Sequence, residues 1–383
     1  MSYAQRMTTK NNTLWTRGFI LVTLVNLFLF LANQILLPTA PLHARSLGAS
    51  DEVIGLMVGA FTVSSVLMRY LAGLGADRWG RRLVLWIGII TMAAATALSA
   101  YLPAIGAFFL LRTLLGAGWG ISSTASATIA TDLIPSSRFG VGMNYFSLST
   151  SLAIATGPVV GIALYNGRGA PTLFMGALLL LAIASATALP LQSSHNKVST
   201  PRQEASISFS AWNTIRPSIT MFIVCIGYGA VTSFLPLFAA QRGIANIGTY
   251  FTVYALCMVV LRPWFGHLAD KHGYGRILYP GIVLLGAGLL VLATTATFQG
   301  FMVSALFYGI GFSAVQATLQ TQSAIHVPIA RLGWANAIFF MLFDGGMGIG
   351  AVIAGVLSTA MGYEGMFLVM AAALIPSALF HVL

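Results

Sequence analysis

The chain has 383 residues, of which 57% are hydrophobic and only 7% charged, with a formal net charge of +11. A soluble domain carries about 25% charged residues, so this composition excludes a water-soluble fold of this size, whose surface it could not cover. In a chain this apolar the positive excess marks one face of a membrane rather than a nucleic-acid surface.

The N-terminal segment places Arg6, Lys10 and Arg17 ahead of an apolar stretch longer than a signal-peptide core. No clear cleavage site follows, so a retained first helix is expected. Phe19 to Leu37 and Val84 to Leu102 hold no Asp, Glu, Lys or Arg. About 20 such residues cross a bilayer, because every backbone N–H and C=O must be bonded within its own helix. Turn residues and charges divide the chain into twelve predicted spans: 18–40, 52–75, 82–101, 106–130, 139–165, 170–190, 214–240, 246–269, 275–296, 299–323, 332–358 and 363–382. The one long polar segment, 191–213, contains His195, Lys197, Pro201, Arg202 and Glu204 and is expected to be a flexible cytoplasmic linker. The expected organisation is a six-helix bundle over 1–190, the linker, and a second six-helix bundle over 214–383. With the N-terminus inside, thirteen Lys and Arg fall on the cytoplasmic side and three outside, which orients both termini to the cytoplasm. Cys225 and Cys257 both fall in predicted spans and read as small apolar fillers, with no disulfide or metal motif.

The two halves repeat. At an offset of 193, Arg69 matches Arg262, Gly73 matches Gly266, Asp77 matches Asp270 and Gly80 matches Gly273. Pro135 and Arg138 match Pro328 and Arg331, and Gly157 matches Gly350. Upstream, Pro41 and Gly48 match Pro236 and Gly243 at an offset of 195. Matched charges carry the signal, since charge is rare here and glycine is not. Six spans separate equivalent points, so the repeat keeps its orientation, as in parallel two-half transporters. Residues present in both halves are expected to serve architecture or gating. Polar residues present in one half only are better candidates for substrate and ion chemistry.

The segment Gly73-Leu-Gly-Ala-Asp77-Arg78-Trp-Gly80-Arg81-Arg82 resembles the loop 2–3 signature of the major facilitator superfamily, departing from it at Gly75. The copy from Gly266 through Asp270 to Gly273 degenerates towards its end. The resemblance implies an all-α membrane fold of twelve transmembrane helices in two bundles related by a pseudo-two-fold axis. It also implies a latch built around Arg69, Asp77, Arg78, Arg81, Arg262 and Asp270. In that latch Gly73 lets helices approach and a helix-end acid pairs with a neighbouring cation. The competing reading is a solvated turn. Arg112-Thr-Leu-Leu-Gly116 resembles the R-x-x-x-G motif of proton-coupled members, with Ala305 at the equivalent place. Arg112 either faces a cavity or snorkels to the surface. Gly157-Pro158-Val-Val-Gly161 is similar to the G-P-x-x-G signature of drug–proton antiporters, which favours export. Stretches around Phe234, Asn144 and Phe343 are also similar to bacterial exporters of staphylopine-type opine metallophores.

Of the eight acids, Asp344 alone sits deep in an apolar span, opposite Ser151 in the other half. An ionised carboxylate there is costly, so Asp344 is the candidate proton carrier; the alternative is a buried acid bonded to backbone or to an arginine. Asp132, at the end of the fourth span, reads as structural. Asn26, Asn33 and Gln34 punctuate the first span and either line a cavity or bond a neighbouring helix. Tyr228 and Gln316 are further cavity candidates. His267 and His272 read as turn residues, and no metal or cofactor is expected.

The expected function is proton-coupled efflux of a small organic molecule, a drug or metabolite such as an opine-type metallophore. The protein would act as a monomer in the cytoplasmic membrane by alternating access. The alternative is uptake by proton symport. No phosphate loop, nucleophile motif or selectivity-filter repeat supports an enzyme or a channel.

Overall fold

The computed structural model describes residues 13–102, 104–135, 138–191, 212–244, 246–325, 327 and 332–382. The first twelve residues and nearly all of the 191–213 connector therefore lie outside the described residues.

Among the described residues the chain is helical. Hydrophobic sequence of this length has one way to satisfy its backbone in lipid, so each apolar run closes its own hydrogen bonds. Polar residues set the ends. Thr16 accepts a hydrogen bond from the Phe19 N–H at 3.2 Å and starts α1, Arg17–Leu36. Pro38 follows, and a short α2, Thr39–Ser46, completes the first crossing. Ser50 caps α3, Asp51–Trp79, whose first turn carries Asp51 and Glu52 against the positive end of the helix dipole. The N-terminal bundle continues with α4, Arg81–Tyr101, α5, Ile105–Leu133, α6, Phe139–Arg168, and α7, Ala170–Ala188. The second bundle holds α8, Trp212–Gln241, α9, Gly248–His272, α10, Tyr274–Thr294, α11, Phe298–Ile325, α12, Leu332–Ala372, and α13, Ile375–Val382.

Among the described residues ten stretches are long and apolar enough to cross a membrane. The last of them, Ala335–Ala378, is 44 residues long and breaks at Gly362, where φ is +74°. At 1.5 Å per residue it reaches about 66 Å, twice the hydrocarbon thickness, so it makes two crossings. The apolar start of α9, Gly248–Arg262, supplies the remaining one. Twelve crossings result, at the predicted places. Exposed Leu56, Val63, Leu67 and Leu71 on α3 face lipid, the solvent that makes such exposure favourable.

The repeat is visible in the backbone. Six described glycines have positive φ, and they form three matched pairs: Gly48 with Gly243, Gly80 with Gly273, and Gly169 with Gly362. Gly80 and Gly273 agree closely, at φ/ψ of 91°/140° and 90°/144°. A side chain at either position would strain the turn between two helices. The bundles meet along two seams, α3 against α12 and α6 against α9, which the repeat relates to each other.

Candidate functional site

The chain starts at one face of the membrane, here the near face; the opposite one is the far face. A cavity lies between the bundles, with about 390 Å³ of empty space including its open part. From the first bundle it takes Phe30, Asn33 and Gln34 of α1, Phe61 of α3, Trp119 of α5 and Ile154 of α6. From the second it takes Tyr228 of α8 and Phe340, Phe343, Asp344 and Met347 of α12. The wall is thus mostly aromatic, with two amides, one phenol and one carboxylate as its polar groups, the usual make-up of a small-molecule site.

Asp344 is bonded to an arginine, the contact expected of the structural alternative to a proton carrier, and that arginine is Arg69, a residue expected in the latch. Arg69 Nη2 donates to Asp344 Oδ2 at 2.7 Å, across the seam between the bundles. Each residue stands 18 positions from the far-face end of its helix, Asp51 for Arg69 and Gly362 for Asp344, a depth of about 27 Å. Trp119 interacts with the same carboxyl group. A pair at this depth is weakly screened, and losing one member strands the other in a medium that solvates charge poorly.

Asn33 and Gln34 line the cavity, the first of the two alternatives open to them, and Tyr228, a further cavity candidate, joins them. Tyr228 stacks on Phe312 at 4.7 Å between ring centroids, with Phe343 at 5.7 Å. Three other candidates are displaced from this lining. Asn26 is a clasp inside the first bundle: its Nδ2 donates to Ser149 Oγ and Thr150 Oγ1, both at 2.9 Å, and its Oδ1 accepts from Ser126 Oγ at 3.3 Å. Arg112 does not snorkel; it is 3% exposed, and its guanidinium lies 4.9 Å from the centre of the Phe61 ring, behind the cavity wall. Gln316 is buried in the second bundle, where its Oε1 accepts from Arg262 at 3.5 Å.

The proline motif acts through its glycines. A Cβ on Gly157 would fall 2.3 Å from Gln34 Cβ, and one on Gly161 would fall 2.2 Å from the Ile35 carbonyl oxygen. These two positions let α6 cross α1 with backbones nearly touching, directly behind the cavity amides, while Pro158 sits within the same helix. Gly346 and Gly350 make the matching crossing of α12 over α8, at 2.2 Å from Phe222 O and 2.1 Å from Ile226 O.

The loop signature is only partly described. The side chains of Asp77 and Asp270, and the surroundings of Gly266, lie outside what the structure describes. Arg81 pairs with Asp132 within the first bundle, Arg82 donates to the Leu189 carbonyl at 2.8 Å, and Arg78 is exposed. The close approach expected at Gly73 is not made, since a Cβ there would meet nothing within 4 Å. Close packing occurs instead in the far half of the same seam. A Cβ on Gly55 would lie 2.5 Å from Ala351 O, and one on Gly355 would lie 2.5 Å from Asp51 O. Arg45 pairs with Asp51, and the Tyr363 hydroxyl donates to Asp51 Oδ1 at 3.0 Å, tying the bundles together at the far face. The cavity is therefore closed towards the far face. Gly55 and Gly59 form a G-x-x-x-G spacing, the signal that sequence reading could have used to find this contact.

The family model of the Major Facilitator Superfamily matches residues 22–245 and 217–383. The chain belongs to that superfamily, whose members are membrane transporters and not enzymes. It is 26% identical over 371 residues to the staphylopine export protein of Staphylococcus aureus, with 92% of each chain covered. A similar match, 26% over 343 residues, is to an uncharacterised major facilitator transporter of Methanocaldococcus jannaschii, covering 86% of this chain and 88% of that one. Among solved structures it is similar to a bacterial homologue of the human lysosomal transporter Spinster, in an inward-facing and unoccupied conformation. The TM-score is 0.76 at 16% identity, with 97% of each chain covered. The nucleoside transporter NupG matches with a TM-score of 0.70 at 17% identity, covering 96% of this chain and 98% of that one. At these identities the structural likeness speaks for the fold alone.

Proposed function

We propose that this transporter exports a small organic molecule from the cytoplasm in exchange for protons. The near face is then cytoplasmic, in line with the distribution of Lys and Arg. Both termini and the 191–213 connector lie on that side, and the monomer is the working unit in the cytoplasmic membrane. The reading rests above all on one observation, the Arg69–Asp344 pair bridging the two bundles at the cavity. A proton on Asp344 removes the carboxylate charge and weakens the pair, which changes the balance between the two arrangements of the bundles. Substrate in the cavity biases the same equilibrium from the other side. The similarity to a staphylopine export protein supports an opine-type metallophore as the class of cargo.

Transport into inside-out vesicles tests direction and coupling together. An acidic lumen should drive accumulation of cargo, and collapsing the gradient with a protonophore should stop it. Accumulation only when the gradient is reversed would replace export by uptake with protons.

A further inference from the structure

The repeat relates the α3–α12 seam to the α6–α9 seam, and the two are electrically unequal. At the first, Arg69 meets Asp344. At the second, Arg262 holds the position of Arg69, and the position of Asp344 is taken by Ser151, whose hydroxyl donates to its own Ser147 carbonyl. Among the described residues no acid pairs with Arg262. It bonds instead to neutral amide oxygens, Gln320 Oε1 at 2.5 Å and Gln316 Oε1 at 3.5 Å. A guanidinium presents five donors, and amide oxygens leave its charge uncompensated. The first bundle has no counterpart to these amides, since Ser123 and Ala127 stand where Gln316 and Gln320 would be.

A second observation points the same way. Gln316 is fully buried, yet its Nε2 donor has no acceptor, and the buried Ser313 hydroxyl one turn earlier also lacks a partner. Ser313, Gln316 and Gln320 share one face of α11 by their spacing of three and four. A cation and an idle donor, side by side on neighbouring helices, lack one acceptor that carries negative charge. Arg262 stands ten residues, about 15 Å, from the near-face end of α9, too deep for a lipid headgroup to be the natural partner.

We propose that Arg262, with Gln316 and Gln320, forms a carboxylate-binding subsite for the transported molecule, set behind the cavity wall one turn of α11 from Phe312, which stacks on the cavity residue Tyr228, so that the cargo is an organic acid. The inference rests on the transport reading but not on its direction or its proton coupling. The cargo carboxylate fills on the α6–α9 side the place that Asp344 fills on the α3–α12 side. Arg is the side chain suited to this, because its planar fork matches a carboxylate in two bonds.

The test is thermal unfolding of the purified full-length chain in detergent, with iminodiacetate as probe, the simplest secondary amine bearing two carboxylates. Its dimethyl ester and sodium chloride serve as comparisons. The diacid should stabilise the protein in a concentration-dependent way, and the ester should not. Apparent affinity should weaken about tenfold or more in Arg262→Gln and Gln316→Leu. Arg262→Lys keeps the charge and decides the question if the glutamine variant fails to fold; it too should weaken binding by loss of the fork. Equal stabilisation of wild type and the Arg262 variants overturns the subsite, as does stabilisation by the ester or no response of wild type to the diacid. Stabilisation by chloride alone overturns the carboxylate assignment in favour of an inorganic anion site. No gradient is present, so the outcome is separate from that of the vesicle experiment.

Discussion

The two seams between the bundles are built from the same repeat, yet one carries an ion pair and the other a cation held by amides. The α3–α12 seam joins Arg69 to Asp344, whereas Arg262 at the α9 position has Gln316 and Gln320. Duplication supplied two arginines of equal standing. A single carboxylate distinguishes them: under the function proposed above, Asp344 would make one seam responsive to protons, and its absence would leave the other open to an anion brought from outside.

The largest expected effect comes from removing the one acid. Asp344→Asn should reduce transport driven by a pH gradient by about a hundredfold or more, equivalent to at least about 2.7 kcal/mol. Asparagine fits the site and its amide oxygen can still accept from Arg69, so the variant should fold, at reduced stability because the arginine loses its counter-charge. Normal gradient-driven transport by it would remove Asp344 from the coupling role. Arg69→Gln should lower thermal stability by stranding the carboxylate, and adding Asp344→Asn should recover part of that loss. A double-mutant coupling of about 1–3 kcal/mol measures the pair; a value near zero would mean that the two charges act separately.

Next in size is the far half of the same seam. A Cβ at Gly355 would lie 2.5 Å from the Asp51 carbonyl oxygen, so Gly355→Leu prevents closure there. A cysteine placed at Asn33 then reports the opening, because Asn33 lines the cavity. Its labelling by an impermeant maleimide from the far side should rise about tenfold or more, the equivalent of 1.4 kcal/mol in the closing equilibrium. Unchanged labelling would show that the glycine contact does not hold the far face shut. Of comparable size is the effect of making the seams alike. Ser151→Asp supplies the missing acid opposite Arg262 and should weaken stabilisation by iminodiacetate about tenfold. Undiminished stabilisation would show that Arg262 is not in reach of position 151 or of the diacid.

Much of this was legible in the sequence, for a physical reason. A lipid-exposed apolar run must close its own backbone bonds, so apolar length together with turn residues and charges located the crossings, and the matched charges revealed the repeat. Asn33, Gln34, Tyr228 and Asp344 stood out as candidates, since polar groups inside a span are costly enough to need a purpose, but the sequence left open whether the amides line a cavity or bond a neighbouring helix; the structure puts all four in the cavity wall. Rotation about the helix axis was not legible. Asn26 shares a face with Asn33, yet it is spent on Ser126, Ser149 and Thr150. Arg69 and Asp344 are 275 residues apart, and no local pattern joins them. Their shared depth of 18 residues from the far-face ends was a usable signal that the repeat, which matches Arg69 only to Arg262, concealed.

The smallest expected effect lies at the near half of the α3–α12 seam and tests the latch by its silence. Gly73 has nothing within 4 Å of an added Cβ, so Gly73→Ala should change thermal stability by less than about 0.5 kcal/mol in the far-closed conformation. Helix propensity even favours the alanine slightly. A latch at this site would close only if the bundles rocked to seal the near face, where Gly73 would then meet its neighbour. The bulkier Gly73→Leu should therefore leave the stability of the far-closed form unchanged and slow transport, because it obstructs the opposite arrangement alone. If Gly73→Leu transports at the wild-type rate, the two helices never approach at Gly73, and the loop signature contributes through its turn and charges only.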